Sequence, residues 1–250
     1  KLTYREFIER ITNDEYEFNA FLEYLTINVS EFFRNKEQWD ILKDEILPIL
    51  MSGCRNGKLK VWSSACSSGE EPYSLAMLLT KHLKGQDFEI IATDIDVGIM
   101  KRAKKATYKL ESFDKIPDEY KQWFIKQDYD MYGISEEIKN KITFKKLDLL
   151  SDDYPKDIDL LVCRNVLIYF VEDAKDKIYE KFSDSLVPNG ILFVGSSEQI
   201  VSSLEYDLRA IKTYFYQKDK NAENTTESDN TSNSIIRNFI YIILNLEKIL

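Results

Sequence analysis

The chain has 250 residues, 44% hydrophobic and 13% aromatic, enough to bury one full core with room for a small appendage. Its net charge of −9, from 43 acidic against 34 basic residues, argues against a nucleic-acid footprint and favours a protein or small-molecule partner. Three cysteines, Cys54, Cys66 and Cys163, stand far apart with no C-x-x-C pair, so no zinc knuckle, other metal site or disulfide framework is expected, and a reducing cytoplasm fits.

In chain order, KLTYREFIERITNDE alternates charge with apolar residues, which is not the pattern of a signal peptide. Residues 3 to 25 and 36 to 51 carry apolar positions at helical spacing, among them Phe7, Ile11, Trp39, Leu42, Ile46 and Leu50, and predict short helices in a lead-in over 1–50. Strands are then expected at 59–65, 88–95, 158–163 and 191–196, with helices at 71–84, 97–105 and 172–186. That alternation predicts an α/β fold, a parallel sheet with helices on both faces, and a pair of strands around Leu208–Lys218 would add an antiparallel edge.

The aromatic-rich stretch 107–146 is too long for one crossover and reads as a small inserted subdomain. After Lys218 the polar run DKNAENTTESDNTSNS has no periodicity and predicts a disordered linker over 219–234. The apolar segment 235–250 is interrupted by Arg237, Asn238, Asn245 and Glu247. It is shorter than the roughly 20 residues of a membrane span, and predicts a C-terminal helix that docks on a partner, or the first turns of a truncated further domain.

Chemistry concentrates in 59–73, LKVWSSACSSGEEPY, where a short apolar strand runs through a loop of small residues into a helix opening with Glu70 and Glu71. Free backbone N–H groups at such a turn form a cofactor loop, but two carboxylates there repel a pyrophosphate and suit cationic or hydroxyl groups. A second strand ends in ATDID, and an acid at that tip normally holds ribose hydroxyls. With only one glycine in the first loop the G-x-G-x-x-G fingerprint is absent, which disfavours NAD and FAD. A ribose without a pyrophosphate describes S-adenosylmethionine; an ordinary capped strand-to-helix turn is the plainer alternative. The only histidine, His82, reads as a surface residue, so neither a Ser-His-Asp triad nor an H-E-x-x-H site is available.

With TINVSEFFRN (26–35), WSSACSSGEEPYS (62–74), ATDID (92–96), LVCRNVLIYF (161–170) and PNGILFVGSSE (188–198) in this order and spacing, the chain resembles the CheR-type chemotaxis methyltransferases over about residues 20 to 218. The resemblance implies a class I, Rossmann-like, S-adenosylmethionine-dependent methyltransferase. Its mostly parallel seven-stranded sheet would lie in a domain over 51–218, with the insertion at 107–146 and a short N-terminal helical remnant. It also implies methyl transfer to glutamate carboxylates in the cytoplasmic domain of methyl-accepting chemotaxis receptors.

Carried over by position, Asn28, Ser30 and Arg34 lie over the methionine end and the active-site mouth. Glu70 takes the amino-acid end, Asp94 the ribose, Asp148 and Leu149 the adenine, and Arg164 and Asn165 close the pocket. Arg34 is also a candidate for orienting the substrate carboxylate, with Arg164 as the other arginine offered. Tyr169 lines the methyl-transfer channel in this reading, with packing on the core as its alternative. Ser30 stands where the family usually has Thr, and Asp148 where it has an amide; an ionised Asp accepts but cannot donate.

A glutamate with a pKa of about 4.3 is already ionised at neutral pH, so this chemistry needs positioning more than a general base. In the resembled family a helical domain with a basic face precedes the catalytic part. Here Asp and Glu outnumber Lys and Arg in residues 1–50. The expectation is therefore a fragment of a longer protein, or receptor engagement through 107–146, which in the family grips a tethering peptide and could equally only cap the site. Two other functions share the same cofactor residues: a methyltransferase for a different protein or small molecule, and a non-catalytic S-adenosylmethionine-binding module.

Overall fold

The structure is a computed structural model that describes residues 3–14, 17, 30–53, 57–83 and 85–219. Asn28, Cys54, the remainder of the N-terminal helical expectation to residue 25, the linker beyond Asp219 and the segment 235–250 lie outside the described residues. Ten strands are described: β1 (Lys58–Ser63), β2 (Asp87–Asp94), β3 (Thr107–Lys109), β4 (Phe124–Lys126), β5 (Met131–Ile134), β6 (Ile142–Lys146), β7 (Ile158–Cys163), β8 (Leu186–Val194), β9 (Leu208–Lys212) and β10 (Phe215–Lys218).

Seven of them form one sheet in the order β6-β2-β1-β7-β8-β10-β9. The pairs from β6 through β8 are parallel, and β10 runs antiparallel to both β8 and β9. The mostly parallel seven-stranded α/β sheet is thus present, with the antiparallel edge at Leu208–Lys218. Both faces are buried, as a parallel sheet requires. Leu160, Val162, Ile191 and Phe193 enter one core cluster, whereas Leu161, Cys163, Leu192 and Val194, their immediate neighbours, enter the other. This is the two-residue alternation of a pleated strand.

The chain builds β1, β2 and β6 outward in one direction, then returns to place β7 on the other side of β1. The reversal leaves a crevice outside the carboxyl ends of β1 and β7, where ligands of open α/β sheets bind.

The 107–146 segment divides. β3, β5 and β4 form a separate antiparallel three-stranded sheet over residues 107–134, whereas β6 pairs with β2 as the edge of the main sheet. The sequence reading assigned all of 107–146 to the insertion, and 142–146 belongs instead to the core. Its pattern, with Ile142 buried and Thr143, Lys145 and Lys146 exposed, is that of an edge strand covered on one side, which lacks the continuous apolar run of the central strands.

Residues 36–53 are helical, as Lys36–Ile41, a π-helical turn over Leu42–Ile46, and Leu47–Gly53. Trp39, Leu42, Ile46 and Leu50 from that run are buried in the core. The helix Tyr4–Asn13 begins with a capping box in which Thr3 and Glu6 exchange hydrogen bonds. Among the described residues no helix is long and apolar enough to cross a membrane.

Candidate active site

The turn from β1 into the helix Glu70–His82 passes through Gly69, which takes φ 97° and serves as N-cap. Glycine is required there twice over. The positive φ disfavours a side chain, and a Cβ would stand 3.0 Å from Ala103, from the Tyr73 ring and from the Tyr108 hydroxyl. The Tyr108 hydroxyl donates to the Ser68 carbonyl at 2.8 Å, so β3 of the small sheet braces the turn. Glu70 is buried at the helix start and accepts from the Ser68 hydroxyl at 2.6 Å.

Asp94 lies at the end of β2 beside this turn. One of its oxygens accepts the Ser67 N–H at 2.8 Å and the other accepts the Asp96 N–H at 3.0 Å. Burial raises its pKa, partly offset by those N–H bonds. A carboxylate offers about four lone-pair positions, so two acceptor positions remain for hydroxyls. Two acids around a tight turn suit a ribose diol and an ammonium group and would repel a diphosphate. The donor set fits S-adenosylmethionine.

Glu71 was passed over as a cofactor residue and proves to be an inward-facing one. It accepts from the Ser63 hydroxyl at 2.8 Å and pairs with Arg164 at 3.6 Å. Burial pushes the Glu71 carboxyl up and the Arg164 guanidinium down, and each offsets part of the other's shift. The guanidinium remains charged across ordinary pH.

Arg164 Nη2 donates to the carbonyl of Arg34 at 2.8 Å and to Gln38 at 2.8 Å, with Asn35 at 3.3 Å. The cation stacks 4.8 Å from the Phe193 ring and 5.7 Å from Trp39, while its Nε has no hydrogen-bond partner among the described residues. With its side chain 2% exposed, Arg164 is committed to the interior.

The 32–35 turn is anchored from three sides. Phe32 packs edge-on against Tyr108 and Phe124 of the small sheet, and Phe33 stacks on Tyr120 at 4.4 Å. The Phe33 N–H donates to the Ser74 hydroxyl, which in turn donates to the Glu70 carbonyl. The Arg34 carbonyl also accepts from the Trp39 indole at 2.9 Å. Phe33 and Asn35 both have positive φ, at 51° and 59°, so Arg34 sits half-buried at the crest of a sharply bent turn. Ser30 stands half-buried at the start of this described stretch.

Asp148 and Leu149 follow β6, next to β2, since the Leu147 N–H donates to the Asp94 carbonyl. Both oxygens of Asp148 are occupied locally, accepting from Leu150 N–H and the Ser151 hydroxyl at 2.9 Å each. The acid at this position is explained by the turn it caps. Leu149 is buried in the core with Trp62 and Tyr154, and its carbonyl accepts from the Tyr154 hydroxyl.

Beyond Arg164, Asn165 takes φ 61° and begins a turn whose N–H groups are held by Glu198, the last residue of the PNGILFVGSSE motif, to which the sequence reading gave no role. Tyr169 ends a short 3₁₀ turn and is 55% exposed, which excludes the core-packing alternative. Leu167 and Ile168 line a cleft of about 270 Å³ bounded by the helix Glu172–Ser185 and residues 197–202 and 206. His82 is not a plain surface residue: it is half-buried against Tyr120, and burial lowers its pKa.

Fold and site together define an S-adenosylmethionine-dependent methyltransferase of class I. The family model described as "CheR methyltransferase, SAM binding domain" matches residues 28–216. The chemotaxis protein methyltransferase of Listeria innocua is 42% identical over 217 residues, covering 87% of this chain and 82% of the relative. The chemotaxis protein methyltransferase of Escherichia coli is 34% identical over 213 residues, covering 81% and 72%. That of Borreliella burgdorferi is 32% identical over 219 residues, covering 83% and 77%. The chain belongs to the CheR methyltransferase family, and its cofactor is S-adenosylmethionine.

Proposed function

We propose that the protein methylates glutamate side chains of chemotaxis receptors, forming glutamate methyl esters. The observation that carries this reading is the pairing of an acidic cofactor turn, Glu70 with Asp94, with Arg34 held on a bent turn by contacts to the small sheet and to the helices Lys36–Ile41 and Glu70–His82. S-adenosylmethionine, when bound, supplies the electrophilic methyl group.

In this reading Glu70 receives the cofactor's amino-acid end and Asp94 the ribose, with Asn28 and Ser30 over the methionine end. Leu149 and Asp148 lie beside the adenine, and Asn165 closes the pocket. Arg34 pairs with the incoming carboxylate and aligns it, since a planar fork fixes both position and angle. Arg164 acts from inside the fold by holding Arg34. Tyr169 stands at the substrate side. The carboxylate is already ionised, so no general base is needed, and its alignment is worth roughly 7 to 11 kcal/mol.

The cytoplasmic signalling region of a receptor is the macromolecular partner in this proposal, and the small sheet of β3, β4 and β5 is the surface that meets it. The catalytic unit runs to Lys218. Methyl transfer from labelled cofactor to a receptor cytoplasmic fragment tests the reading: base-labile label on glutamate is expected. Turnover on a small molecule with none on the fragment would favour a different substrate, and tight binding without turnover on any acceptor a sensing module.

A further inference from the structure

We propose that Glu198 is a positioning residue for the cofactor pocket, fixing the turn after β7 so that Asn165 is set at the end of the strand; this rests on the reading above in which Asn165 closes the pocket. Glu198 is 4% exposed. Its Oε1 accepts the Val166 N–H at 2.8 Å and the Leu167 N–H at 2.7 Å, and its Oε2 accepts the Asn165 N–H at 2.6 Å and the Gly195 N–H at 2.9 Å.

Three successive N–H groups converge on one carboxylate because Asn165 adopts the left-handed conformation, which turns them to the same side. That conformation is uncommon for a residue with a Cβ, and charge-assisted bonds offset its cost. Gly195 completes the arrangement. A Cβ there would lie 2.3 Å from Glu198 Oε2 and 3.1 Å from the Asn165 nitrogen, so the carboxylate and the 165 backbone close over residue 195 only because it is glycine.

The clamp sits one residue from Arg164, whose guanidinium holds the Arg34 carbonyl. A shift of the 165–167 turn therefore reaches both walls of the crevice. A mere staple between two strands could be placed anywhere along them. This one grips Asn165 and Val166, two of the three residues that connect the β7 terminus to the 3₁₀ turn Leu167–Tyr169, together with Leu167, the first residue of that turn.

Glu198→Gln tests the role, because the amide keeps the volume but turns an NH₂ group toward two of the four donors. Calorimetric affinity for S-adenosylmethionine and for S-adenosylhomocysteine is measured with melting temperature in the parent, Glu198→Gln, Asn165→Ala and the double variant. Affinity is expected to weaken about tenfold to a hundredfold in Glu198→Gln, and most of that loss should vanish in the Asn165→Ala background.

A lower melting temperature with parent-like affinity would make Glu198 a staple only and overturn the proposal, and an undiminished loss in the Asn165→Ala background would overturn the route through Asn165. Should Glu198→Gln fail to fold, Gly195→Ala displaces the carboxylate without deleting it, and parent-like affinity there is equally fatal. A parent without affinity for either ligand overturns the methyltransferase reading itself. A parent that binds beside an unaffected Glu198→Gln overturns the positioning role alone.

Discussion

Arg164 Nη2 stands 2.8 Å from the carbonyl oxygen of Arg34, joining two motifs 130 positions apart in the chain. One arginine is spent inside the fold to hold the backbone of the other. The partner set of Arg164 explains why it is an arginine: three acceptors on the 34–38 segment, a half-buried carboxylate at Glu71 and two flanking aromatic rings call for a planar cation with a fork of donors.

Replacing Arg164 with Met is expected to cost about 3 to 5 kcal/mol of stability, because Glu71 is left buried without its cation. Adding Glu71→Gln should restore a large part of that loss. Urea denaturation of the two single variants and the pair checks this, and strict additivity would show that the two side chains do not act together.

Arg34→Lys is expected to lower turnover about a hundredfold with little change in melting temperature, since an ammonium cannot reproduce the bidentate alignment of a carboxylate. The backbone carbonyl of residue 34 keeps its bonds to Trp39 and Arg164 in this variant. Near-parent kcat would remove Arg34 from the reaction.

Asp94→Ala should weaken S-adenosylmethionine binding by about 1.5 to 3 kcal/mol, the range for a hydrogen bond to a charged group. Burial raises the Asp94 pKa above the ordinary 3.8, so its protonation should weaken binding in mild acid, at a pH where a free aspartate is still ionised. The effect on folding has the opposite sign. The stabilisation from the proton taken up is fully present below the unfolded pKa and is lost as pH rises through the folded one. Affinity measured against pH in the parent and Asp94→Asn separates this group from Glu70, and identical profiles would mean that Asp94 does not titrate in the site.

Asp148→Ala is expected to cost about 1 kcal/mol, through loss of the acceptors for Leu150 N–H and the Ser151 hydroxyl. Asp148→Asn keeps one acceptor and gains a donor, so cofactor affinity should equal or exceed the parent's. A tenfold loss of affinity in the Asn variant would show instead that the negative charge is used in the pocket.

Much of the architecture was legible because its causes are local. Alternating apolar strands and amphipathic helices, a loop of small residues before Glu70, and acids at the end of β2 each follow from a few consecutive residues. β6 was missed since an edge strand covered on one face has too weak a pattern to separate it from an insertion.

The sequence by itself determined the α/β fold class and the chemistry of the cofactor turn, because strand periodicity, the single glycine at 69 and the acids at 70 and 94 carry their meaning without knowledge of their neighbours, and the resemblance of its five motifs pointed to the family. The tertiary structure alone decided how the polar residues divide between pocket and interior. Glu70 and Glu71 are adjacent and chemically identical, yet a helix turns successive residues about 100° apart, so one borders the cofactor turn while the other reaches Arg164. Arg164 and Glu198 follow the same logic: a buried charge is defined by partners from remote segments, and only folding brings residues 34, 71 and 164, or 165 and 198, within bonding distance.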